Sequence, residues 1–116
     1  MAAASYDFEI EQGATLAKSF VWKTSDAVVI PLTSYTARMQ IRASVSSPTI
    51  LLELSTANGL ISISPNEGKV TLTVGPTVTS GITWRRGKYD LELTSPAGVV
   101  TRLLYGDITV SQEVTR

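Results

Sequence analysis

The chain has 116 residues, 43% of them apolar and 17% charged, with 10 Lys plus Arg balanced by 10 Asp plus Glu. That size suits one domain burying about two thirds of the surface its unfolded chain exposes, and a formal net charge of zero disfavours nucleic-acid binding by electrostatic footprint. Absence of Cys and His removes disulfides, thiolate chemistry, Cys-ligated zinc, the commonest metal ligand and the commonest general base.

The opening MAAASYDFEIEQG has no basic region leading into an apolar run, and no stretch of about eighteen apolar residues follows anywhere, so cytosolic synthesis without membrane insertion is expected. Alternation at period two begins at once. In YDFEIEQ, Tyr6, Phe8 and Ile10 oppose Asp7, Glu9 and Glu11; Gly13 offers a turn into TLAKSFVWKT, where Leu16, Phe20 and Trp22 share a face. The pair reads as a hairpin. SDA at 25 to 27 breaks the run, and VVIPL, with its proline, suits an edge strand. YTARMQIRA then sets Tyr35, Ala37, Met39 and Ile41 against Thr36, Arg38, Gln40 and Arg42, a half-buried strand.

SVSSP is a polar loop before the strand ILLELST, and ANG at 57 to 59 turns the chain into LISIS. PNEG at 65 to 68 has the order of a β-turn and leads to KVTLTV, with Val70, Leu72 and Val74 inward. Only GPTVTSGITWRRG, residues 75 to 87, lacks alternation; Pro76 suits the start of one helical turn that Gly81 ends. KYDLELTS, the turn PAG, VVTRLLY and DITVSQE complete eight to ten short strands with no linker or repeat. The expectation is one domain over 1–116, an all-β antiparallel sandwich of about eight strands with at most one short helical turn near 76–81.

Arg38 and Arg42 on one strand complement Asp90 and Glu92 on another. If those strands are neighbours, each cross-strand pair stabilises the sheet by roughly 0.2–1 kcal/mol; the alternative is a solvated outer face. Asp7, Glu9, Glu11, Asp90 and Glu92 invite comparison with glycosidase carboxylates, but their i, i+2 spacing is that of a strand's solvent face, and no calcium-loop spacing occurs. No catalytic residue, metal ligand or cofactor is therefore assigned. Trp22, Trp84 and Tyr105 would form a sugar platform if exposed together, although large aromatics more often fill cores and Trp84 is placed to plug one end of a sandwich.

From 99 to 105 the alternation places Val99, Leu103 and Tyr105 on one face and Val100 and Leu104 on the other. A strand apolar on both faces needs cover on both, from the second sheet and from either another subunit or the 75–87 segment.

The order YDFEIEQGATL, Trp22, PLTSYTARMQIR, a Leu-rich strand with ANG, GKVTLTV and RGKYDLELTSPAGVVTRLLYGDITVSQEVTR resembles small virion proteins of tailed bacteriophages over nearly the whole chain. It is also similar to the immunoglobulin-like N-terminal domain of phage baseplate upper proteins, through Leu32-Thr33, the run Gly87 to Leu93, and Val110 to Arg116. The resemblance implies an immunoglobulin-like sandwich acting as a non-enzymatic adaptor in the tail, baseplate, neck or fibre-attachment region of a virion. Its implied partners are other phage virion proteins and, optionally, further copies of itself. Partner contacts are expected at Trp84, Arg85 and Arg86, where Trp and Arg adjoin in the irregular segment, and at Leu103, Leu104 and Tyr105. The reading from another class is a small carbohydrate-binding module aiding adhesion to a host surface.

Overall fold

The computed structural model describes residues 3–24 and 26–115; Met1, Ala2, Ser25 of the SDA segment and Arg116 of the closing stretch lie outside the described residues. Among the described residues, nine strands form two sheets. The larger runs β1/β2–β9–β8–β4–β5, from β1 (Ala4–Ser5), β2 (Phe8–Glu11), β4 (Thr36–Arg42), β5 (Leu52–Ser55), β8 (Arg86–Thr94) and β9 (Val100–Ser111). The smaller runs β3–β7–β6, from β3 (Leu16–Val21), β6 (Ile61–Ser64) and β7 (Lys69–Val74). Strand order β5-β4-β8-β9 against β6-β7-β3 is that of the immunoglobulin fold.

Alternation explains most of the strands. On β8, Tyr89, Leu91 and Leu93 face the core while Lys88, Asp90 and Glu92 face out. Ala37, Met39 and Ile41 of β4 lie beside them, and Val70, Leu72 and Val74 of β7, all 0% exposed, meet them from the other sheet. Fully burying one such aliphatic side chain stabilises the fold by about 1.5–3 kcal/mol. PNEG forms a 3-10 turn whose Gly68 takes φ +58°, and α1 (Pro76–Ser80) is the one α-helical turn among the described residues, ended at Gly81. Ile82 is buried and Trp84 packs against the core, so the 75–85 segment plugs one end of the sandwich.

Four expectations need correction. First, β2 and β3 are not a hairpin: β2 pairs with β9 and β3 with β7, in different sheets. Gly13 marks the reversal, at φ +82°, but the turn also carries the chain across the sandwich. Second, VVIPL is not a strand; it contributes one isolated bridge, Lys23 to Val29, and then the buried Leu32.

Third, the sandwich is not wholly antiparallel, because β1 and β2 both run parallel to β9. They are one strand interrupted at Tyr6 and Asp7. There the Asp7 carboxylate accepts the Asp107 N–H at 2.8 Å, and the Tyr89 hydroxyl donates to the Tyr6 carbonyl at 2.6 Å. Gly106 permits the close approach, since a Cβ on it would stand 2.2 Å from the Tyr6 carbonyl oxygen.

Fourth, the faces of β9 are not those of simple alternation. Leu91 pairs with Leu104 but Glu92 pairs with Arg102, which makes Leu103 the extra residue of a β-bulge. Leu103 and Leu104 consequently both turn toward the core side, where Leu104 is buried and Leu103 packs against it. Val100, Arg102 and Tyr105 keep the outer face, Val99 and Val100 being 62% and 57% exposed. The bulge thus resolves the double-sided apolar run without a second cover for Leu103 and Leu104.

Candidate functional site

The outer face of the larger sheet is concave, enclosing about 740 Å³ above β4, β8 and β9. Its rows follow from the register. Arg38, Glu92 and Arg102 stand in one row; Gln40, Asp90, Tyr105 and Ser5 in the next; Arg42, Lys88 and Asp107 in a third. Alternation on three adjacent strands therefore gathers charged and polar side chains from three distant sequence segments onto one surface.

The predicted neighbours Arg38/Arg42 and Asp90/Glu92 are on adjacent strands, with Arg38 opposite Glu92. Their ion pairs nevertheless run outward to other strands. Arg38 Nε meets Glu53 Oε1 on β5 at 2.8 Å, while Arg102 Nη1 on β9 approaches Asp90 Oδ2 at 4.0 Å. Arg42 lies opposite Lys88 and donates instead to the Ser47 carbonyl and to Gln40 Oε1, each at 2.8 Å. Gln40 Nε2 in turn donates to Glu53 Oε1 at 2.8 Å. Hydrogen bonds from Gln40 and then Arg38 hold the Glu53 carboxyl below the usual carboxylate range. Lys88 pairs with Asp107.

Tyr105 presents an aromatic ring on this face, 40% exposed, with the Arg102 guanidinium 4.9 Å from its ring centroid. Sequence reasoning singled out Tyr105 but missed Arg102, Glu53 and Asp107. Arg102 stands outside strict alternation with Tyr105, and only the bulge brings the two onto the same face. Glu53 falls on a strand whose pairing partner has no local signature.

The six expected contact residues do not form one patch. Tyr105 belongs to the outer face; Leu103 and Leu104 line a groove on the flank of the sandwich with Phe20 and Trp22. Arg85 and Arg86 are exposed at the end plugged by Trp84, where the Arg85 carbonyl accepts the Val110 N–H. Trp22 and Trp84 are half-buried against the core, Trp22 edge-on to Tyr35. With Tyr105 on a separate face, the three rings make no common sugar platform. Of the carboxylates, Asp7 holds the interrupted strand, while Glu9 and Glu11 are exposed on β2. Among the described residues no three Asp or Glu side chains stand where they could share a metal ion. No protein-family model matches the chain, and no curated protein does.

Proposed function

We propose that this domain is a non-enzymatic docking module of a bacteriophage virion, joining other virion proteins in the tail, baseplate, neck or fibre-attachment region. The observation that carries the docking reading is the Tyr105–Arg102 pair at 4.9 Å on the exposed concave sheet face. Tyr and Arg are enriched among residues that dominate interface energies, and strands hold them with little ordering cost on binding. The assignment to a virion is supported by the sequence resemblance. Its non-enzymatic character is supported by the structural employment of the carboxylates: Glu53, Asp90 and Asp107 in ion pairs and Asp7 on a backbone N–H.

Arg85 and Arg86 supply a second contact at the plugged end, with Trp84 as their apolar support. Leu104 is buried in the core and shows only its edge to the flank groove. Mass spectrometry of purified particles tests the reading: the protein should be present at a fixed copy number, and a Tyr105→Ala, Arg102→Ala chain should fold yet fail to be incorporated. Absence of the wild-type chain from particles would refute the virion assignment, whereas normal incorporation of the double variant would remove the outer face from it.

A further inference from the structure

We infer that the free edge of β3 and the groove beneath it accept an extended segment of a partner chain, apolar at alternate positions and acidic at the next inward one. The inference adds a further surface to the docking reading and does not depend on the virion assignment.

The topology leaves this edge open. In the immunoglobulin arrangement a first strand lies beside the strand corresponding to β3. Here the first strand pairs with β9 in the opposite sheet, and β3 pairs with β7 and no other described strand. Trp22 N–H donates to the Gly68 carbonyl, and the β3–β7 register steps back from there. Alternate residues of an antiparallel pair bond to the partner, so the N–H and C=O groups of Ala17, Ser19 and Val21 point to the open side. Unpaired edge groups of this kind are a template for strand addition.

Below the edge the two sheets diverge. A groove of about 480 Å³ opens between β1/β9 and β3, floored by Phe20, Trp22, Leu103 and Leu104. At the other flank Asn58 accepts the Ser55 and Leu60 N–H groups and donates to the Glu53 carbonyl, which fixes the turn between the edge strands β5 and β6. An added strand would lay its inward side chains on Phe20 and Trp22.

Lys18 determines the chemistry of the occupant. It occupies the inward side of β3, between Leu16 and Phe20, with Nζ 5.9 Å from the Phe8 ring centroid. Lys23 lies at the groove's far end. Neither has a carboxylate within 4.0 Å among the described residues. While the edge is open, Lys18 is half-buried rather than enclosed. A wholly apolar strand would bury that charge unpaired and be rejected; one with Asp or Glu opposite Lys18 would pair it. In the antiparallel sense the occupant reads apolar, any, apolar, any, acidic, opposite Trp22 through Lys18.

The probe is a capped synthetic ten-residue peptide with Ile-Thr-Val-Thr-Glu at its centre, titrated into the isotope-labelled full chain and followed by amide NMR. The Ala17, Ser19 and Val21 resonances should shift saturably and gain exchange protection. A peptide with Lys in place of Glu should bind roughly two- to fivefold more weakly, and Lys18→Glu should invert that preference. Ser19→Pro, which removes an edge donor, should abolish binding. Tyr105→Ala should leave it intact, which separates this site from the outer face. No shift at millimolar peptide, shifts confined to other strands, or a Glu/Lys preference indifferent to Lys18→Glu would overturn the proposal, as would peptide-free, concentration-dependent shifts of the same amides, which would give the edge to a second copy.

Discussion

The Tyr89 hydroxyl on β8 donates to the Tyr6 carbonyl 2.6 Å away, crossing β9 to hold the point where the first strand breaks between β1 and β2. Tyr89 is 5% exposed, and its ring also meets Phe8 edge-on at 5.3 Å. One side chain thus supplies core packing and the polar anchor of the interrupted strand. Burial, then the neighbouring Tyr6 and Asp7, raise its phenol above the ordinary tyrosine range.

Tyr89→Phe keeps the ring and deletes the anchor, so it should lower stability by about 0.5–1.5 kcal/mol in denaturant titrations at neutral pH. Because the folded-state value is the higher one, the neutral phenol contributes its full stabilisation below pH about 10, and this is lost as pH rises through the folded value. Wild type should therefore lose stability on alkalinisation faster than Tyr89→Phe. Parallel alkaline profiles would show that the phenol is not held neutral by the fold.

Gly106→Ala places a methyl group against the Tyr6 carbonyl and Asp7 carboxylate, neither of which moves without breaking the Tyr89 or Asp107 bond. A loss of roughly 1–3 kcal/mol is expected. Hydrogen exchange should show protection falling first in β1 and β2, with β4 and β7 retained. Unchanged protection in β1 would contradict the tight junction.

Thr79, fully buried at the end of α1, donates to the Ala14 carbonyl at 2.8 Å and accepts the Gly13 N–H at 3.1 Å. Thr79→Val preserves shape and orphans both groups, a cost of about 1–3 kcal/mol. Thr79→Ser should recover most of the melting temperature that Thr79→Val loses. Equal melting temperatures for the two variants would mean the hydroxyl is not what joins the 12–15 turn to the plugged end.

The Glu53 carboxyl should titrate below its ordinary value in a carbon-detected NMR titration, and Gln40→Ala should raise it more than Arg38→Ala does. With the folded value depressed, any contribution to stability is present above the unfolded value and fades as pH falls through the folded one. An upward shift from Arg38→Ala alone would reverse the ranking of the two causes.

Period-two reading located β2, β3, β4, β7 and β8 because their inward residues, from Ile10 to Leu93, alternate without interruption. It failed where a single residue changes the count: inserting Leu103 reverses every later face of β9, and nothing in LLY distinguishes a bulge from a two-sided strand. Strand partners were equally hidden. Gly13 signals a chain reversal whether β2 and β3 pair or part, and the choice depends on the distant Ser111 and Thr109 beside β2. For the site, Arg38, Asp90 and Tyr105 were legible as outward residues, whereas their ion-pair and stacking partners follow from registers fixed only when β5, β8 and β9 assemble.

The parallel alignment of first and last strands also sets how the domain bears load. Ala4 lies beside Leu104 and Glu11 beside Ser111, so the chain enters at one end of this ladder and leaves at the other. Tension applied between Ala3 and Thr115 pulls β2 and β9 lengthwise past each other, and the hydrogen bonds between them must yield together rather than peel singly.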